Sequence, residues 1–142
     1  MPLSVSILTP ERTVFQSTAD FVVFPAATGE MGILQNHLPV LAQLALGEVR
    51  ITNKDRLDIF AVLGGFAEVR DNKVSIFAET AEMANEIDVE RARQAADRAR
   101  QALRSPDATV DLAQAEAALQ RALVRLRVAD LVHRRRQPHQ PS

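Results

Sequence analysis

Across residues 1–87 apolar positions recur with a period of two and are cut every few residues by turn formers. Leu3, Val5 and Ile7 alternate with Ser4 and Ser6, which predicts a half-buried strand ending at Pro10. Residues 13–16 and 20–25 continue the pattern. A turn at Thr28-Gly29, a short apolar run over 31–34, a second turn at Asn36-His37-Leu38-Pro39 and an apolar run over 40–46 then follow. Val49 and Ile51 lead to a turn at Asn53-Lys54-Asp55, and residues 56–63 form the next strand. Gly64-Gly65 breaks the chain where backbone must bend or approach another strand closely. Residues 66–70 and 73–78 flank Asp71-Asn72, two residues that tolerate positive φ and suit a tight hairpin. About ten short strands at this spacing predict a β-sandwich.

From Asp88 the period changes. Val89, Ala92, Ala96, Ala99 and Leu103 fall on one helical face, with Asp88 as N-cap and Glu90 at the positive end of the helix dipole. Ser105-Pro106-Asp107 stops this helix, and Asp107 or Thr109 is placed to cap a second one carrying Leu112, Ala115, Leu119, Ala122, Leu126 and Ala129. So short a connection predicts an antiparallel α-helical hairpin. The expected organisation is a sandwich over 1–87, a two-helix hairpin over 88–132, and a basic tail over 133–142 containing Arg134-Arg135-Arg136 that frays into solvent. Alanine dominates the first helix seam, and each buried methyl contributes only about 0.8 kcal/mol. A hairpin held this weakly is expected to move as a unit.

Charge reinforces the division. Residues 1–87 carry 6 Lys/Arg against 11 Asp/Glu, a balance of −5, whereas residues 88–142 carry 11 Arg and no Lys against 7 Asp/Glu, a balance of +4. Two modules with different partners are expected. Hydrophobic residues make up 46% of the chain, enough for a core, and no apolar run approaches the roughly 18 residues of a membrane span. The absence of cysteine removes disulfides, thiolate metal sites and a cysteine nucleophile.

Catalytic patterns are missing. There is no GxxxxGK[ST] loop or GxSxG elbow, and His37, His133 and His139 lack metal-ligand spacing. Asp55 and Asp58 read as solvated surface. Without Tyr or Trp there is no stacking platform for nucleic acid. One constellation remains: Asp88 and Arg91 three apart, Arg98 two turns on, and Arg121 with Arg125 four apart on the second helix. Closure of the hairpin could bring these arginines to a polyphosphate, with Asp88 accepting a hydrogen bond. The same spacing also serves interhelical salt bridges.

The ordered motifs Thr28-Gly29-Glu30-Met31-Gly32-Ile33-Leu34, Asn36-His37-Leu38-Pro39-Val40-Leu41 and Gly64-Gly65-Phe66-Ala67-Glu68-Val69, with Leu126-Arg127-Val128-Ala129 near the end, resemble the epsilon subunit of F-type ATP synthases. The resemblance implies a flattened sandwich followed by a helical hairpin, in a non-catalytic rotor-stalk subunit. Its sandwich would pack on the gamma subunit and meet the membrane rotor ring through Glu30 and His37. The hairpin would extend into the alpha/beta catalytic head and restrain hydrolysis.

Ile87-Asp88-Val89-Glu90-Arg91-Ala92 also matches the I/L-D-x-x-R-A motif of members that bind ATP. ATP is thereby implied as a regulatory ligand rather than a required cofactor, held by Asp88, Arg91, Arg98, Arg121 and Arg125. The expected location is the cytoplasmic face of a bacterial plasma membrane, peripheral and attached through the complex. The alternative function is a free-standing ATP-sensing or adaptor module.

Overall fold

A computed structural model describes residues 2–105 and 107–136. Ten strands come first: β1 (Leu3–Leu8), β2 (Thr13–Ala19), β3 (Phe21–Ala26), β4 (Gly29–Ile33), β5 (Val40–Gln43), β6 (Leu46–Asn53), β7 (Arg56–Leu63), β8 (Gly65–Arg70), β9 (Lys73–Ala78) and β10 (Ala81–Met83). A 3₁₀ turn at Ala84–Glu86 precedes helices α1 (Val89–Arg104) and α2 (Leu112–Arg136). The chain divides into two compact units, Met1–Met83 and Ala84–Ser142.

The first unit is a sandwich of two five-stranded sheets, ordered β2-β1-β9-β8-β5 and β10-β7-β6-β3-β4. Among the described residues only β1 and β9 run parallel, and the other strand pairings are antiparallel. The period-two residues of β1, Leu3, Val5 and Ile7, are fully buried and join Val22, Phe24, Ile51, Phe60, Val62, Val74 and Ile76 in one core. Phe15 of β2 meets Phe60 of β7 edge-on, ring centres 5.0 Å apart, so an aromatic pair links the two sheets.

Three turns follow from residue type. Asp71 and Asn72, at φ 51° and 58°, form the two-residue link between Arg70 and Lys73. Gly65, at φ 114°, lies so near β9 that an added Cβ would fall 2.0 Å from the Phe77 carbonyl oxygen. It starts β8 just after the chain leaves the other sheet at Leu63, so both properties expected of Gly64-Gly65 are present. The apolar run over 40–46 is divided, however. β5 ends at Gln43 in one sheet and β6 begins at Leu46 in the other, and Leu44 in the link between them forms a bridge with Ala26 at the end of β3.

In the second unit the Asp88 carboxylate accepts the Arg91 N–H at 3.0 Å and caps α1. The cap of α2 is Asp111, which accepts the Gln114 N–H at 3.1 Å, rather than Asp107 or Thr109. Asp107 instead closes its own turn by accepting from Thr109. The two helices pack as a hairpin whose buried residues include Ala92, Ala96, Ala99 and Ala122. Val89 and Leu112, expected in the seam, are exposed, while Val124 and Val128 are buried. Helix α2 continues to Arg136, into the segment expected to fray; the remainder of that expectation, residues 137–142, lies outside the described residues.

Candidate functional site

Two clusters contain the expected functional residues, one in each unit. In the sandwich, Glu30 is the second residue of β4 and His37 lies in the loop that follows it. The rest of β4 lies between them in the chain, about 10 Å of extended strand from Glu30 to Ile33, and each has its own partner. Glu30 is exposed and paired with Arg50 of β6, Nη2 to Oε2 at 3.3 Å. The same guanidinium lies 2.6 Å from Glu48, two residues earlier and therefore on the same face of β6. Burial works against the charge of Arg50, but hydrogen bonding to Glu30 and attraction to both carboxylates outweigh it and hold the pKa above its ordinary value. Glu48 is 16% exposed, and its Oε2 has no hydrogen-bond partner among the described residues.

The loop carrying His37 is held at two points. The His37 Nδ1 lies 2.7 Å from the Leu38 carbonyl oxygen, and the Asn36 N–H donates to the Asn72 Oδ1 at 2.7 Å. Leu34 and Leu38, on either side, are 59% and 79% exposed. Arg50 and Glu48 were not singled out in the sequence, and Asn72 was read there only as a turn residue. The Glu48-x-Arg50 spacing was a legible signal; the Asn72 contact, 36 residues distant, had none.

In the hairpin, Asp88 and Arg91 meet through the cap, side chain to backbone. Arg98 lies two turns beyond Arg91, about 10 Å along the same face of α1, and Arg121 and Arg125 occupy adjacent turns of α2. A groove of about 600 Å³ at the open end of the hairpin is lined by Val89 and Arg93 on α1 and by Leu126, Ala129 and Asp130 on α2. Counting along antiparallel helices from that register, Arg98 falls level with Arg121, Arg125 lies about a turn nearer the open end, and Asp88 and Arg91 sit nearer still. Arg91, Arg98 and Arg121 are exposed. Two ion pairs on α1 run within the helix, Arg93 to Glu90 at 3.0 Å and Arg100 to Asp97 at 3.4 Å, and neither uses the expected arginines. Among the described residues no group of three or more His, Cys, Asp or Glu side chains could hold a metal ion.

The architecture is a β-sandwich followed by a two-helix hairpin, and the same division appears in the comparison with known families. Residues 2–84 match the family profile "ATP synthase, Delta/Epsilon chain, beta-sandwich domain", and residues 85–130 match "ATP synthase, Delta/Epsilon chain, long alpha-helix domain". The chain belongs to the ATP synthase delta/epsilon chain family.

It is 48% identical over 128 residues to the ATP synthase epsilon chain of Symbiobacterium thermophilum, covering 89% of this chain and 92% of that one. The ATP synthase epsilon chain of Herpetosiphon aurantiacus is 47% identical over 131 residues, with 92% and 96% covered. Among solved structures, a chain of the Euglena gracilis mitochondrial ATP synthase OSCP/F1/c-ring assembly superposes with a TM-score of 0.77 at 28% identity, covering 92% of this chain and 81% of that one. A chain of the Tetrahymena thermophila central stalk/c-ring assembly, at 17% identity, TM-score 0.57 and coverage of 93% and 96%, shares the fold.

Proposed function

We propose that this chain is the central-stalk rotor subunit of an F-type ATP synthase, coupling ion-driven rotation to ATP synthesis while catalysing nothing itself. The observation that carries this reading is the succession of both family domains, in order and over nearly the whole chain, on the two compact units. The gamma subunit is the proposed partner of the sandwich. An apolar patch supports this: Phe66 is 45% exposed, stacks on Phe77 with ring centres 4.9 Å apart, and has the exposed Leu41 one row away on β5. Such a patch on an outer sheet face marks an interaction surface.

Glu30 and His37 are the proposed contacts to the membrane rotor ring. The subunit would then be peripheral, at the cytoplasmic face of a bacterial plasma membrane; among the described residues no helix is long and apolar enough to cross one. Co-expression with a gamma subunit tests the stalk assignment. Stable co-purification that fails in Phe66→Ser/Leu41→Ser is expected, and failure of the unsubstituted chain to co-purify would leave the adaptor reading.

The hairpin, a compact unit with an alanine seam, is the proposed regulatory element. Extension toward the alpha/beta catalytic head would exchange a small intramolecular contact for a larger intermolecular one, so its population would depend on a difference of a few kcal/mol. ATP as a regulatory ligand is favoured by the exposure of Arg91, Arg98 and Arg121 and by the placement of Arg98 level with Arg121. In calorimetry with ATP, Arg91→Ala should lose about 1.5–3 kcal/mol, on the order of ten- to a hundredfold in affinity. Equal affinity in both proteins would remove Arg91 from the site.

A further inference from the structure

Left-handed backbone accounts for an asparagine at position 72, but not for what its side chain does. Asp71 and Asn72 are the two central residues of the β8–β9 hairpin, and a glycine at 72 would satisfy that turn at least as well. The Asn72 Oδ1 nevertheless accepts the Asn36 N–H at 2.7 Å, across 36 residues of sequence. Asn72 is itself fixed, because its backbone carbonyl accepts the Ser4 N–H of β1 at 2.8 Å. A peg anchored in three strands thus reaches into a loop that separates β4 from β5 and lies outside both sheets. Asn36, at φ 64°, holds the loop's bend at the point of attachment, and His37 and the exposed Leu38 follow directly.

We infer that Asn72 is a positioning residue that pre-orders the His37 loop for the rotor contact. The inference rests on the proposed role of His37. A loop with Leu34 and Leu38 exposed on either side of His37 would otherwise have to be ordered when its partner arrives, and ordering before binding removes that cost. The tether acts on the loop backbone, so its effect should be felt in binding even though Asn72 itself need not touch the partner.

The test compares the full chain with Asn72→Gly, which keeps the turn and removes the acceptor, and Asn72→Asp, which keeps both. His37→Ala and Leu38→Ala report on the loop itself. Hydrogen exchange at the Asn36 amide is read in the free chain, and dissociation of the chain from a reconstituted stalk and rotor-ring complex is read alongside. Asn72→Gly should speed Asn36 exchange and raise the dissociation rate roughly three- to tenfold, the loss of about one hydrogen bond, and Asn72→Asp should restore both. If His37→Ala and Leu38→Ala weaken binding but Asn72→Gly does not, the positioning role is wrong while the rotor contact stands. If neither loop variant changes dissociation, the rotor contact and the positioning role fall together.

Discussion

The guanidinium of Arg50 reaches across the intervening strand β3 to lie 3.3 Å from the Glu30 carboxylate, while its other amino group holds Glu48 at 2.6 Å. One cation therefore serves two carboxylates that differ in environment, Glu30 in solvent and Glu48 largely removed from it. Arg50→Gln should destabilise the protein by about 1–3 kcal/mol, because Glu48 would lose its charged partner in a mostly buried setting. Glu30→Gln should cost less than about 1 kcal/mol, as an exposed ion pair does. Urea denaturation of the full chain checks the order, and equal effects would contradict it.

Glycine substitutions separate close approach from backbone conformation. Gly65→Ala drives a methyl into the Phe77 carbonyl and also requires φ 114°, so it should cost more than Gly29→Ala. At Gly29 the space is open and only φ 129° opposes a side chain, a strain of about 1–3 kcal/mol. Thermal unfolding of the two variants measures the difference.

The cap of α1 can be separated from its charge. Asp88→Ala should cost about 1 kcal/mol, whereas Asp88→Asn keeps a capping oxygen and most of the stability. Any loss of ATP affinity in Asp88→Asn would then report on ligand contact. Asp111→Ala should destabilise α2 by a similar amount, read by helical circular dichroism on heating.

Asp107 supplies a pH-dependent contribution. Hydrogen bonds from the Thr109 hydroxyl, then from the Thr109 and Val110 N–H groups, hold its carboxyl below the ordinary aspartate range. A pKa lowered in the folded state contributes stability that is present above the unfolded value and lost as pH falls through the folded one. Thr109→Ala should raise the Asp107 pKa and move that loss to higher pH, as followed by NMR titration of the side chain.

The features written in local pattern were legible. Period two placed the strands, Asp71-Asn72 announced their turn, Gly64-Gly65 announced a close approach, and Asp88 announced a cap. The break at Leu44 was not, because an apolar run looks the same whether it continues in one sheet or crosses to the other. The α2 cap was missed for a related reason: Asp107, Thr109 and Asp111 are all capping types within five residues, and only the start of the helix decides among them. Within the candidate sites, Glu48 and Arg50 share a strand face by spacing alone. Their meeting with Glu30, and that of Asn72 with Asn36, depend on strand order and register.

ATP hydrolysis by the reconstituted synthase, with the full chain compared against one ending after Ile87, tests the central claim most directly. The account predicts that the truncated subunit still assembles with the stalk and still supports coupling, while hydrolysis rises because the restraining hairpin is gone. Assembly and hydrolysis both unchanged from the full chain would contradict it.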